Sequence, residues 1–112
     1  MIHSTVRLDF DLEKRKEALA ILRSMAERSR VEPGCISCRI YQDALEERMI
    51  MLDEVWKNEE DLHRHLRSDE YRNVLFVMEL AMKQPEIRFE SISRVSGMET
   101  IEKVRAISKI AT

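Results

Sequence analysis

The sequence predicts an α+β domain of the ferredoxin-like, split βαβ type, with a four-stranded antiparallel sheet and its helices on one face. Segments of period-two alternation and segments of helical periodicity follow one another in the order strand, helix, strand, strand, helix pair, strand, which is the order of that arrangement. Pro33, Gly34 and Pro85 break the chain between these segments. At 112 residues the chain is one domain with a single core.

Residues 2–10 alternate, with Val6, Leu8 and Phe10 on one face and Thr5, Arg7 and Asp9 on the other, the pattern of a half-buried strand. Asp11 can cap the next segment, in which Ala18, Leu19, Leu22, Met25 and Ala26 recur at helical spacing among charged positions. This helix ends near Val31. A second strand over about 35–42 and a third over about 49–57, separated by the polar run from Asp43 to Glu47, should form a hairpin. A short helix then starts after Asn58 and places Leu62 and Leu66 on one buried line, with His65 at its edge. A second start signal at Ser68, with Asp69 and Glu70 in the first turn, opens a longer helix to about Lys83. Its buried side is expected to carry Tyr71, Val74, Leu75, Met78 and Met82. After Pro85 comes a fourth strand, Ile87 to Val95, with Ile87 and Phe89 on one face and Ile92 on the other.

The domain proper is thus 1–96, and residues 97–112 are a C-terminal amphipathic helix or tail of the same domain. Ile101, Val104 and Ile107 recur there every three residues with charges between them. Isolated helices of this length are marginal in water, so this one is expected to dock on its own domain or on a partner subunit.

Composition excludes several functions. With 19 Lys and Arg against 21 Asp and Glu the formal net charge is -2, and nothing argues for nucleic acid. No apolar run is long enough to span a bilayer, and the N-terminus alternates instead of placing a basic start before an apolar block, so no membrane association and a cytoplasmic location are expected. Cys35 and Cys38 are spaced as a redox or metal pair but run into a strand instead of opening a helix. Residues three apart on a regular strand point to opposite faces, and no second cysteine pair or histidine cluster is present. The pair therefore reads as two small strand residues in a reducing compartment, with no metal. Only two glycines occur, and neither sits in a phosphate loop or nucleotide fingerprint.

The third strand, MIMLDEVW, is apolar on both faces, with Ile50, Leu52 and Trp56 on one and Met49, Met51 and Val55 on the other. One face can pack on the helices. The other, joined by Ile36, Cys38 and Ile40 of the second strand and Ile92 of the fourth, has no element to cover it, and a second copy of the sheet is expected there as a homodimer.

The stretch from Trp56 to Tyr71 holds the only tryptophan, two of the three histidines and one of the two tyrosines. Asp61 lies one helical turn before His65, a spacing at which a carboxylate can reach an imidazole. His65, Asp61 and Tyr71 are the candidate catalytic residues, with Trp56, Leu62 and Leu75 binding substrate. The same residues also read as a histidine edging the core, a carboxylate favoured by the helix dipole, and plain core aromatics.

The turn Glu32-Pro33-Gly34-Cys35, the strand end Glu54-Val55-Trp56 and the helix run from Leu62 to Ser68, of the form Leu-x-x-His-Leu-x-Ser, together resemble the antibiotic biosynthesis monooxygenase family over about residues 1–95. The resemblance implies a homodimeric α+β barrel made of two ferredoxin-like sheets. The same fold hosts quinol- and quinone-forming oxygenases, haem-degrading enzymes, a signal-molecule isomerase and proteins with no known activity. The haem-degrading branch uses Asn, Trp and His where this chain has Val6, His65 and Leu75. The aromatic-polyketide oxygenases use Asn, Trp and Tyr where it has Asp61, His65 and Tyr71, so only the tyrosine is kept. The His-Leu form of the helix motif is similar to the small quinol monooxygenases. That resemblance implies oxidation of a small quinol or dihydroxy-aromatic by dioxygen with no cofactor, metal or flavin. The alternatives are a non-catalytic dimeric module that binds a small ligand or a partner, and a small-molecule isomerase. A large cavity reached by His65 is expected of an enzyme, and a side-chain-filled interior of a module.

Overall fold

The computed structural model describes residues 1–105. Its elements are β1 (Ile2–Asp9), α1 (Leu12–Ser29), β2 (Cys35–Gln42), β3 (Met49–Trp56), α2 (Glu59–Arg67), α3 (Arg72–Leu80), β4 (Glu86–Ser91) and α4 (Met98–Arg105). The strands form one sheet in the order β2-β3-β1-β4, each neighbouring pair antiparallel, as the split βαβ order requires.

Strand alternation decides which side chains meet the helices. On β1 the buried positions are Ser4, Val6 and Leu8, and on β3 they are Ile50, Leu52, Glu54 and Trp56. The ladder sets Ser4 opposite Glu54, Val6 opposite Leu52 and Leu8 opposite Ile50, so one apolar stripe crosses both central strands. Helix α1 lays Ala18, Leu22, Met25 and Ala26 on that stripe, and α3 adds Val74 and Val77. Each buried aliphatic side chain of this size contributes about 1.5–3 kcal/mol. Helix α2 opens where the Asn58 side chain accepts the Asp61 backbone N–H at 2.9 Å, and it closes where the Ser68 hydroxyl donates to the His65 carbonyl at 2.6 Å. Glu59, Glu60 and Asp61 in its first turn and Arg64 and Arg67 in its last complement the helix dipole.

Four expectations are corrected. Cys38 opposes Glu54 and Ile40 opposes Leu52, so both lie on the helix-covered face and not beside Met49 and Met51. A strand's own alternation does not fix its phase against a neighbour; the hairpin register does. A bulge at Ile36, between Cys35 and Ser37, adds one residue to β2 and turns Cys35 towards the same face as Cys38. The opposite-faces rule for residues three apart therefore fails here.

Helix α3 covers Arg72–Leu80, shorter than expected, and Leu75 and Met82 are exposed while Val77 is buried. The chain spends Ser68 to Tyr71 in turns that redirect it from α2, which moves the helix start and rotates its buried face. Strand β4 ends at Ser91, and its Ile87 and Phe89 remain about half exposed on the helix side of the sheet edge. Helix α4 buries none of its residues, and Ile101 and Val104 are exposed on this chain; Ile107 lies outside the described residues.

Candidate active site on the covered face of the sheet

Glu54 and Trp56 are two residues apart on β3 and so share the covered face, where α2 brings Leu62 and His65 down on them. Glu32 arrives from the turn after α1. That turn depends on Gly34, whose φ of +80° is in the left-handed region and whose missing Cβ leaves space for the Asp61 side chain. The Gly34 carbonyl accepts the Lys57 N–H at 2.8 Å, tying the turn to the end of β3.

The imidazole of His65 is enclosed on every side. Its Nδ1 lies 2.8 Å from Glu32 Oε2. Its Nε2 stands 3.0 Å from Glu54 Oε2 but off the line of a straight hydrogen bond, so that contact is electrostatic. Trp56 stacks on the ring at 4.4 Å between centroids, and Tyr71 meets it edge-on at 5.3 Å. His65, Glu54 and Trp56 are all 0% exposed.

Burial by itself would lower the proton affinity of the imidazole, but Glu54 and then Glu32 more than offset it and hold His65 above the ordinary histidine range. Burial, reinforced by the charge on Glu54, pushes the Tyr71 phenol up to about 12. Burial followed by Glu54 and Glu32 pushes Cys35 up to about 11, and burial, Glu54 and Cys35 push Cys38 up as well. Cys38 Sγ donates to Glu54 Oε2 at 3.6 Å. Both cysteines are free thiols in electronegative surroundings, which is the opposite of what activates a thiolate. Among the described residues no group of three or more His, Cys, Asp or Glu is arranged to hold a metal ion.

Of the residues singled out in the sequence, Trp56, His65 and Tyr71 come together, and buried Leu62 flanks them on α2. Asp61 takes a different place from the one expected. Its carboxylate pairs with Arg64 at 2.9 Å and packs on Gly34, and the carboxylates on His65 are those of Glu32 and Glu54. Leu75 is half exposed on α3 and is not part of the cluster. The signal for Glu54 was present in the sequence, since it is a carboxylate at a buried-parity position of an apolar strand. Beside the cluster, Ile2, Leu62, Leu66 and Phe89 line an open groove of about 270 Å³ between α2 and β4.

This fold and this histidine–carboxylate cluster coincide with the match of residues 1–75 to the antibiotic biosynthesis monooxygenase family, and the chain belongs to that family. An uncharacterised protein of Synechocystis is 32% identical over 87 residues, which are 77% of this chain and 59% of that protein. The chain therefore spans less than two thirds of that relative. The crystal structure of a conserved protein from Methanosarcina mazei superposes with a TM-score of 0.75 at 28% identity, covering 80% of this chain and 89% of that one. A solved structure named antibiotic biosynthesis monooxygenase gives a TM-score of 0.76 at 17% identity over 84% of this chain and all of its own, a likeness of fold alone. Among the described residues no helix is long and apolar enough to cross a membrane.

Proposed function

We propose that this protein is a cytoplasmic, homodimeric monooxygenase that oxidises a small quinol or dihydroxy-aromatic with dioxygen and without a cofactor. The observation that carries the reading is the imidazole of His65 held between Glu32 and Glu54 beside Tyr71 on this family's fold. Burying an imidazole and the Glu54 carboxylate together in a small core is costly, and such groups concentrate where chemistry needs them. The groove between α2 and β4 shares Leu62 with the surroundings of the cluster, and the side chains that enclose His65 must part there to admit the substrate. Neutral His65, oriented by Glu32 and Glu54, takes a phenolic proton. Tyr71 hydrogen-bonds a substrate oxygen, and the ring carbons of Trp56 form an apolar wall. The electron-rich anion then reduces dioxygen; one oxygen atom enters the ring and the other leaves as water, leaving a hydroxyquinone. The four electrons come from the substrate itself.

Oxygen uptake on a panel of hydroquinones and catechols, without added flavin or metal, tests this directly. Rates should exceed the autoxidation of each compound, and His65→Ala should lower turnover about a hundredfold or more, the usual weight of a general base. Uptake at the background rate across the panel would end the proposal. The complete enclosure of His65 and Trp56 by side chains favours a second reading, a dimeric module that binds a small ligand without turnover. Saturable binding of phenols with no uptake would select it.

A further inference from the structure

Besides His65 Nε2, which faces Glu54 Oε2, three buried polar atoms on the covered face have no hydrogen-bond partner among the described residues: Ser4 Oγ, Glu54 Oε1 and Trp56 Nε1. Their residues are at most 1% exposed. Buried polar atoms are nearly always matched, so three unmatched ones in one neighbourhood call for something to meet them. They do share a neighbourhood. Ser4 stands directly opposite Glu54 in the ladder between β1 and β3, and Trp56 follows two residues along on the same face. Opposed residues in such a ladder have Cβ atoms about 5 Å apart.

The three atoms differ in what they require. An indole N–H only donates, a carboxylate oxygen only accepts, and a serine hydroxyl does either. A ligand group that satisfies Trp56 and Glu54 together must accept from one and donate to the other, which a hydroxyl does. A carboxylate or phosphate cannot donate and would face Glu54 and Glu32, whose two negative charges exceed the one positive charge His65 can carry. An ammonium can donate to Glu54 but offers Trp56 no lone pair. We infer that Ser4, Glu54 and Trp56 form a subsite for an uncharged hydroxyl group, the phenolic hydroxyl of a small aromatic ligand. The aromatic carrier rests on the oxidation reading above, whereas the requirement for a hydroxyl stands on these three atoms. Glu54 then bridges two partners, with Oε1 on the ligand and Oε2 on His65.

Trp56 is the only tryptophan, so its emission reports on the subsite. The full chain is titrated without oxygen against phenol, catechol and hydroquinone, with toluene and benzoate as controls, and calorimetry repeats each titration. Phenols should saturate and shift the emission, with toluene and benzoate at least tenfold weaker. Ser4→Ala should weaken hydroquinone about fivefold and Glu54→Gln about tenfold or more. If Glu54→Gln does not fold, Ser4→Ala and the ligand comparison still decide. Toluene binding as tightly as phenol, benzoate binding more tightly, unchanged affinity in Ser4→Ala, or no phenol binding at all because structural water alone meets these atoms, would each overturn the subsite. Binding without oxygen uptake would defeat the oxidation reading and leave the subsite standing. Uptake indifferent to Ser4→Ala would do the reverse.

Discussion

The two faces of β3 carry the same kind of interaction under opposite conditions. On the outer face His3 Nε2 lies 2.8 Å from Asp53 Oδ2, with the two side chains 35% and 19% exposed. On the covered face His65 Nδ1 lies 2.8 Å from Glu32 Oε2; the Glu32 side chain is 24% exposed, but the imidazole is fully buried and Glu54, its side chain 1% exposed, stands against the other nitrogen. The distance is the same; the surroundings decide what it does. A pair reached by water is screened and weak, whereas a buried pair carries a large desolvation cost and becomes strongly dependent on each partner. The outer face otherwise holds half-buried Met49, Met51 and Val55 edged by pairs such as Arg7 with Glu86 at 3.6 Å. One face thus gathers half-buried apolar side chains and the other a buried histidine–carboxylate cluster, and the strand's period of two keeps them apart.

The sharpest way to break this comparison is to remove each histidine in turn. His65→Ala strands Glu54 and Glu32 without their counter-charge and should destabilise the fold by about 3–5 kcal/mol, the scale found when one partner of a buried pair is removed. His3→Ala should cost no more than about 1 kcal/mol. Guanidinium unfolding of both variants measures the difference, and equal losses would show that burial does not separate the two pairs.

The outer face is probed at its centre. Met51→Asp puts a charge among Met49, Val55 and their counterparts in a second copy, where desolvating it without a partner costs about 2 kcal/mol or more. Light scattering should show the unmodified chain as a dimer and the variant as a monomer that keeps its helix content. A monomeric unmodified chain would remove the assembly role from this face.

The order of elements was legible because each depends on local periodicity: alternation in Val6, Leu8 and Phe10, helical spacing in Leu22, Met25 and Ala26. Trp56, His65 and Tyr71 were legible as a site because they crowd into sixteen residues at a strand–helix junction. The partners of His65 were not. Glu32 is 33 residues away in sequence and comes into place only through the Gly34 turn, so the nearer Asp61 looked like the natural carboxylate. Cys38 and Ile40 were assigned to the outer face for a related reason, since their phase is set by pairing with β3 and by the bulge at Ile36, neither of which leaves a local trace. Leu75 yielded its buried place to Val77 because the turns after Ser68 rotate α3.

A smaller effect should appear with pH. The folded-state pKa of His65 is raised above its unfolded value of about 6.5, so its contribution to stability is fully present below that pH and is lost as pH rises through the folded value. Activity that needs the neutral imidazole should rise over the same window, so that stability and turnover run in opposite directions. Thermal unfolding across pH 5 to 9 (roughly the histidine range on either side of 6.5) should show the decline in the unmodified protein and a flatter profile in His65→Ala. A profile unchanged by the substitution would mean that another group sets it.

The smallest expected effect belongs to Asp61, and it separates the two carboxylates that could orient His65. Asp61 pairs with Arg64, which is about half exposed, and Asn keeps the shape that packs on Gly34 while removing only the charge. Asp61→Asn should therefore change stability by no more than about 0.5 kcal/mol, the scale of ion pairs one turn apart on a helix. The pH at which turnover rises should not move. Glu32→Gln removes a carboxylate that contacts Nδ1 directly and helps to raise the imidazole, so in that variant the rise should shift to lower pH. Measuring the two pH–rate profiles side by side distinguishes them. A shift with Asp61→Asn and none with Glu32→Gln would return the orienting role to the helix neighbour and take it from the turn that Gly34 shapes.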